Sequence, residues 1–186
     1  MFNDRYHHTN AVIEERKTRA TQIMAGIDFP VNMVMGRVLP DKDGKIYAVA
    51  NGENIIVKLR YKVGEVVAVA QCYNDVVREF TDLAFVPGST NKMFVRADLM
   101  PHQIRIIGIR CERLRDISDE ECIKEGVYAG SQALEYPYYF IDTKQFLICD
   151  YKSPRRAFAA LIDKVSGRGT WDRNPWVVVY EFELVK

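Results

Sequence analysis

The feature that most constrains the fold of this chain is a polar segment, residues 40–44, that lies between two apolar runs. The segment ends in Asp43-Gly44, a pair that readily adopts the positive φ angles of a tight hairpin turn. The flanking runs, residues 31–39 and 45–50, have strand length and carry mostly apolar side chains. The sequence therefore predicts two antiparallel strands here, and an antiparallel sheet is expected at the centre of the fold.

Further apolar runs continue this pattern along the chain. Residues 55–59 and 66–70 follow turn-forming residues and have the length of buried strands. Residues 103–113 and 176–184 are longer and predict the principal strands of the sheet. Side chains alternate between the two faces of a strand. The alternation in the first long strand predicts one face with Ile104 and Ile106 and another with Arg105, Ile107, Ile109 and Cys111.

Two segments outside the strands show apolar residues at helical spacing. Residues 10–24 are predicted to form one helix, with Asn10 as its N-cap. Residues 153–166 are predicted to form another, because Ser153-Pro154 suits the first helical turn and an apolar stripe follows.

A third, shorter helix is predicted over residues 118–126. Ser118 and Glu121 have the spacing of a capping box, and Gly126 suits the position just after the helix. Acidic side chains in a first turn stabilise the helix dipole, so a structural role is expected for the acids of that turn. Glu125 gains nothing from the dipole at the opposite end, which makes it a candidate for chemistry.

The chain shows no internal repeat and no linker. We therefore expect a single α+β domain over residues 1–186, built on a mostly antiparallel, barrel-like sheet. Residues 128–151 lack a firm periodicity and are predicted to be an insertion with a short hairpin.

Composition excludes several classes of protein. Lys and Arg number 26 against 25 Asp and Glu, and 48% of the residues are hydrophobic. A disordered chain would carry fewer apolar residues, and a protein that coats DNA or RNA non-specifically would carry a strong basic excess. No apolar run reaches the roughly 18 residues that cross a membrane, and the first residues lack the apolar core of a secretion signal. A cytoplasmic protein without a membrane partner is expected.

Familiar catalytic and cofactor motifs are absent from the sequence. It contains no phosphate-binding loop, dinucleotide fingerprint, HExxH or GxSxG pattern. The four cysteines lie far apart with no CxxC pair, which favours buried thiols over a zinc site or disulfides. The three histidines have no metal-ligand spacing, so no metal and no cofactor are predicted.

Two polar regions hold candidate functional residues. Lys17 and Thr18 form a donor-rich pair in the first predicted helix; a lysine neutralises phosphate or stabilises an anion, and a threonine is a nucleophile only when activated. Near the other end, Trp171 and Asn174 precede Trp176 in a loop. Indole rings stack on bases and an asparagine pairs with base edges, whereas a structural role is the alternative for each tryptophan.

Five segments form an ordered set of motifs: residues 11–18 (AVIEERKT), 61–69 (YKVGEVVAV), 91–101 (NKMFVRADLMP), 106–127, which contains DISDEECIKEG, and 171–177 (WDRNPWV). This set resembles the ASCH-domain proteins of bacteria and their phages and prophages. The resemblance covers most of the chain in the family's order. Residues 116–126 and 171–176 are its most specific parts.

The resemblance implies a PUA-like fold, which is a small β-barrel with helices packed around it and a cleft between the two. It also implies an association with RNA or modified nucleosides. Some small members of the family are credited with hydrolysis of N4-acylated cytidine or with RNA cleavage. In those members a lysine, the second threonine of a G-x-K-T-x-T motif and a glutamate carry catalysis.

Three positions of this chain indicate whether it can perform the hydrolysis credited to some members of the family. Lys17 matches the lysine and Glu125 matches the glutamate, but Ala20 occupies the second threonine position. Neighbouring positions of a helix lie about 100° apart, so Thr21 is expected to point away from the cleft if this segment is helical. Binding is therefore favoured over hydrolysis.

Three functions remain open. The preferred one is a module that binds RNA or a modified nucleoside, with candidate ligand contacts from Lys17, Arg19, Lys92, Arg105, Glu125, Trp171 and Asn174. The second is an amidohydrolase or ribonuclease with Lys17, Thr18, Thr21 and Glu125 as catalytic candidates. The third is a phage or prophage accessory protein that contacts partners through its aromatic residues 136–140.

Overall fold

The computed structural model describes residues 8–24, 35–40, 46–50, 53–57, 59–76, 86–130, 139–141 and 148–185. Its helices are α1 (His8–Ile13), α2 (Tyr73–Val76), α3 (Asp119–Lys124), α4 (Pro154–Ser166) and α5 (Thr170–Arg173). Its strands are β1 (Arg19–Ile23), β2 (Met35–Pro40), β3 (Ile46–Ala50), β4 (Glu53–Val57), β5 (Val66–Ala68), β6 (Gln103–Arg113), β7 (Tyr128–Ala129), β8 (Tyr139–Ile141), β9 (Ile148–Tyr151) and β10 (Trp176–Leu184). The predicted α+β class is confirmed.

The largest sheet has four strands in the order β1-β10-β6-β5. Every neighbouring pair in it is antiparallel, and the sheet curls into a half-barrel. β10 and β6 are its long central strands, as the sequence predicts. β1 pairs with β10 along residues 177–181, which places the N-terminal part of the chain at one edge of the sheet.

Each face of this sheet covers its own apolar core. On one face, Val178, Tyr180 and Phe182 of β10 pack with Ile104 and Ile106 of β6. On the opposite face, alternate residues of β10 pack against α3, α4 and β8; the buried members of that core include Val177, Val179, Cys122, Ile141, Phe158 and Leu161. The central strand is apolar on both sides because both of its faces are covered.

A bulge in β6 changes the predicted alternation. The register shifts between Glu181 and Phe182 of β10, which leaves Ile107 as an extra residue of β6. One extra residue reverses the face on which the following side chains lie. Ile109 therefore packs in the same cluster as Ile106, and the prediction that they lie on opposite faces is wrong. The same correction applies to Cys111.

The predicted helix over residues 10–24 is also wrong beyond its first part. α1 ends at Ile13, Glu15 adopts a positive φ of 56°, and residues 19–23 form β1 instead. Asn10 lies inside α1 rather than at its N-cap. The apolar residues that suggested a helix lie on both faces of β1, since Ala20 packs on one core and Ile23 on the other.

The other two predicted helices are confirmed. Ser118 caps α3 in a complete capping box with Glu121, and Gly126 follows the helix with φ of 101°. Ser153 caps α4 through the backbone N–H of Arg156, and Pro154 occupies the first helical turn. These local rules set both ends of α3 and the first turn of α4, the two helices that cover the sheet.

Two smaller sheets complete the described structure. β2, β3 and β4 form an antiparallel meander, so the predicted pairing around residues 40–44 is confirmed, although residues 41–45 lie outside the described part. β7, β8 and β9 form a second meander within the predicted insertion. Ile141 of β8 is buried in the core under α4, so this segment is packed on the fold.

Two properties of the described residues bear on function. Cys72 and Cys122 are buried, as predicted for cysteines of this chain, and Cys111 is half-buried. A search of the described helices finds none that is both long and apolar enough to cross a membrane.

Candidate functional site

Lys17 and Glu125 form a buried ion pair although 108 residues separate them in the chain. The Lys17 Nζ donates to Glu125 Oε2 at 2.8 Å and to the Glu125 main-chain oxygen at 2.5 Å. The two side chains are 4% and 5% exposed. The two residues that the resemblance places in one site are therefore in direct contact.

The ends of two helices bring this pair together. The backbone N–H of Lys17 donates to the Ala11 oxygen, which folds the chain back at the end of α1. Glu125 is the C-cap of α3, where a lysine can satisfy the terminal carbonyl groups. Gly126 then reverses the chain, and a Cβ at this position would lie 3.7 Å from Lys17 Cδ. That distance is an ordinary van der Waals contact, so it is the left-handed turn, with φ of 101°, that favours glycine here.

Arg19 is the second cation on Glu125. Its Nε donates to Glu125 Oε1 at 3.3 Å, and its Nη2 donates to Glu112 Oε1. Its Nη1 faces Glu121 Oε1 as a close ion pair outside hydrogen-bond geometry. Arg19 is 1% exposed, so its guanidinium holds three carboxylates rather than facing solvent.

Thr21 is the hydroxyl residue that reaches the pair. Its Oγ1 donates to Glu125 Oε1. Ala20, on the neighbouring position of the strand, packs on the opposite face. The helix-based expectation that Thr21 points away from the site is therefore wrong, because a strand places residues 19 and 21 on the same face. Thr18 joins the region through its backbone N–H, which donates to the Lys124 oxygen.

The pair belongs to an ionic cluster of seven side chains: Lys17, Arg19, Arg110, Glu112, Glu121, Glu125 and Glu181. Arg110 bonds to three of the glutamates and is 36% exposed, so it forms the outer side of the cluster. Four carboxylates meet three cations. The cluster thus carries one formal negative charge, which disfavours an anionic ligand.

Sequence reasoning missed most of the outer cluster. Glu121 is predicted only as a capping-box residue, and it does accept the Ser118 N–H, but its other oxygen faces Arg19 and Arg110. Burial alone would raise the pKa of Glu121, yet the Ser118 N–H and the two guanidinium groups lower it below its ordinary value. The bulge in β6 places Arg110 and Glu112 on this face, and no local sequence pattern marks it.

A nearby thiol is not a nucleophile. Burial raises the pKa of Cys122, in α3, to about 12, and Asp119 and Glu125 add to the effect. A thiol is nucleophilic as its thiolate, so Cys122 is protonated and unreactive at neutral pH.

Lys92 contacts α1. It is buried, and its Nζ donates to Thr9 Oγ1. His8 lies near both Lys17 and Lys92, and burial together with these two cations lowers the pKa of His8 to about 2. The structure therefore places Lys92 inside the fold, next to the neutral imidazole of His8.

Three other candidate ligand residues have structural contacts. Arg105 pairs with Glu183 on the surface at 3.0 Å. Trp171 packs edge-on against Phe158, with ring centroids 6.2 Å apart. Asn174 Oδ1 accepts the Arg115 N–H at 2.8 Å. None of these contacts involves the ionic cluster.

The aromatic residues 136–140 fall mostly outside the described part of the chain. Tyr139, which is described, is half-buried and packs against the core beside α4. Most of the predicted contact patch therefore lies outside the described residues, and the prediction stays a prediction.

A cavity of about 420 Å³ lies on the opposite face of β1 from Glu125. Ala20 and Gln22 of β1, Tyr180 of β10 and the segment Arg60-Tyr61 are in its wall. Thr21 is also in the wall, while its hydroxyl points to Glu125. β1 is an edge strand of the sheet, so the cavity and the ionic cluster flank the same short segment.

No group of three described His, Cys, Asp or Glu side chains has the arrangement of a metal site. Comparison of the chain with protein-family models, curated proteins and solved structures finds no match.

Proposed function

We propose that this protein binds RNA or a modified nucleoside beside β1, on a PUA-like fold of the ASCH type. One observation carries the proposal: Lys17 and Glu125, which the resemblance assigns to one site, form a buried pair that also holds the Thr21 hydroxyl. Structural ion pairs are commonest on surfaces, and burying two charges is costly. A buried pair at an edge strand, next to a cavity, is a candidate site for that reason.

In this proposal Glu125 receives the base; its side chain is 5% exposed, so the contact requires the edge strand β1 to move aside. Its carboxylate has about four acceptor positions, and three are taken by the side chains of Lys17, Arg19 and Thr21. The remaining position suits an N–H donor such as the exocyclic amine of cytosine or adenine. In this proposal Lys17 and Arg19 hold the Glu125 carboxylate in place and do not bind phosphate, because both cations are already paired with glutamates.

The test is a titration of isotope-labelled protein with cytidine, N4-acetylcytidine and a short single-stranded RNA, followed by amide chemical shifts. We expect shifts for residues of β1 and the end of α3 at ligand concentrations up to about 1 mM, the weak end of specific binding. If none of the three ligands shifts any resonance at that concentration, the proposal is wrong.

Amide hydrolysis is a second candidate, favoured by the hydrogen bond from the Thr21 hydroxyl to Glu125. The Thr21 oxygen would attack the acyl carbon of N4-acetylcytidine while Glu125 takes the hydroxyl proton. The C–N bond then breaks, the proton passes to the cytidine amine, and water hydrolyses the threonine ester to acetate. Lys17 keeps the carboxylate in place throughout.

Turnover of N4-acetylcytidine by the unmodified protein separates the two candidates, and replacement of Thr21 by valine tests the role of this residue. If the protein is a hydrolase, release of cytidine from N4-acetylcytidine should fall at least about a hundredfold in Thr21→Val, since both nucleophile and proton donor are lost. Thr18→Val is the matched control and should retain turnover, because the described contact of Thr18 with α3 is made by its backbone. Absence of turnover in the unmodified protein, with binding retained, leaves the binding module.

A further inference from the structure

The cavity beside β1 has the size and lining of a small-molecule site. Its volume of about 420 Å³ falls in the range of roughly 300–1,000 Å³ that such sites occupy. Its walls are largely apolar and include Ile106 and Phe182. Polar groups are few, which is the usual arrangement in cavities that bind a flat organic ligand and orient it by a small number of contacts.

Two tyrosines give the cavity an aromatic wall. The rings of Tyr61 and Tyr180 meet edge to face, with centroids 5.4 Å apart and planes at 76°. Tyr180 is buried, and its hydroxyl accepts the backbone N–H of Arg60 at 3.0 Å, which fixes its position. Tyr61 is half-buried. A half-buried ring held by a fixed neighbour is a suitable surface for base stacking.

Arg60 supplies the charge. It is exposed, its Cζ lies 5.6 Å from the centroid of the Tyr61 ring, and it is the only charged side chain among the described residues of the cavity wall. Among the described residues, no carboxylate forms an ion pair with its guanidinium. A guanidinium that has no carboxylate partner among the described residues and lies beside an apolar cavity attracts an anionic group, and phosphate is the group that its planar fork binds best.

We infer that the cavity binds a nucleotide, with the base against Tyr61 and the apolar wall and the phosphate at Arg60. The class of ligand rests on the proposed function, whereas the position of the ligand and the site of its phosphate rest on the cavity itself. The negative charge of the ionic cluster agrees with this placement, because it disfavours a phosphate on the opposite face of β1. Gln22, also in the wall, is an amide that can pair with a base edge.

The experiment compares nucleoside 5′-monophosphates with the matching nucleosides by isothermal titration and amide chemical shifts on the full chain. We expect the nucleotides to bind roughly tenfold more tightly, as a charge-assisted hydrogen bond implies. Arg60→Gln should abolish that difference, and Tyr61→Leu should weaken both ligand types. Lys62→Gln is the matched control: Lys62 is an exposed cation two residues away that is not in the cavity wall, so the preference should persist.

The outcomes distinguish this inference from the proposed function. Binding of nucleosides with shifts in β1 and α3, but without a preference for nucleotides, overturns the inference and leaves the proposed function standing. A preference that survives Arg60→Gln also overturns it. Absence of binding by all monomers and by a 5′-phosphorylated short RNA overturns both. Binding of that RNA alone, lost in Arg60→Gln, supports the inference with an RNA end as the ligand. Thermal unfolding of each variant checks that the fold is retained.

Discussion

Replacement of Glu125 by glutamine is expected to lower the free energy of unfolding by about 3–5 kcal/mol. The Lys17 ammonium and the Arg19 guanidinium would remain buried without the carboxylate that neutralises them. The glutamine amide adds two N–H donors where only donors already converge, so one buried cation loses its hydrogen bond as well. Urea unfolding at pH 7, followed by the fluorescence of the two tryptophans, measures the loss.

Glu183→Gln is the control for this prediction. Glu183 also pairs with an arginine, Arg105, but the two side chains are 49% and 48% exposed. An exposed pair contributes at most about 1 kcal/mol, so the control should change stability little. Equal, small losses in both variants would contradict the burial of the Lys17–Glu125 pair, on which the candidate site depends.

The elements that the sequence predicts correctly are those whose rules are local. α3 is specified by Ser118, Glu121 and Gly126 within nine residues, and α4 by Ser153, Pro154 and its apolar stripe. β10 is specified by its own alternation and apolar run. Each of these patterns needs no knowledge of a distant partner, because caps and periodicity act within a few residues.

The first helix fails for the opposite reason. Residues 19–23 form a strand because β10, about 160 residues later, offers an edge with which they pair. That pairing also buries Arg19 among three glutamates from β6 and α3. Neither contact is visible in the local spacing of apolar residues, and tertiary contacts of this kind override local propensity.

The candidate site is predicted in part. The resemblance identifies Lys17 and Glu125 as one site, but Thr21 was expected to point elsewhere, since a helix turns by about 100° per residue and a strand by about 180°. The bulge at Ile107 hides Arg110 and Glu112 in the same way, because one inserted residue reverses the faces after it. The cavity has no sequence pattern, since Arg60 and Tyr180 are far apart in the chain.

Stability is expected to fall on mild acidification because of His8. Burial, with Lys17 and Lys92 nearby, lowers the pKa of the folded imidazole to about 2, against 6.5 for an ordinary histidine. Between pH 7 and pH 5 the unfolded chain therefore gains a proton at His8 and the folded chain does not. Since the unfolded state binds more protons, the contribution of His8 to stability is present above the unfolded pKa of about 6.5. It is lost as the pH falls from there toward the pKa of the folded imidazole. The loss between pH 7 and pH 5 is about 2 kcal/mol.

This loss of stability should depend on His8 and not on the carboxylates. Carboxyl groups of ordinary pKa titrate mainly below pH 5 and contribute little to a decline between pH 7 and pH 5. Urea unfolding at pH 7, 6 and 5 should therefore show a decline that His8→Gln removes, even if that variant is less stable at every pH. His102→Gln is the matched control and should keep the decline. A decline of equal size in His8→Gln would mean that the imidazole of His8 is accessible to protons in the folded protein, and that α1 does not cover the lysine side of the ionic cluster.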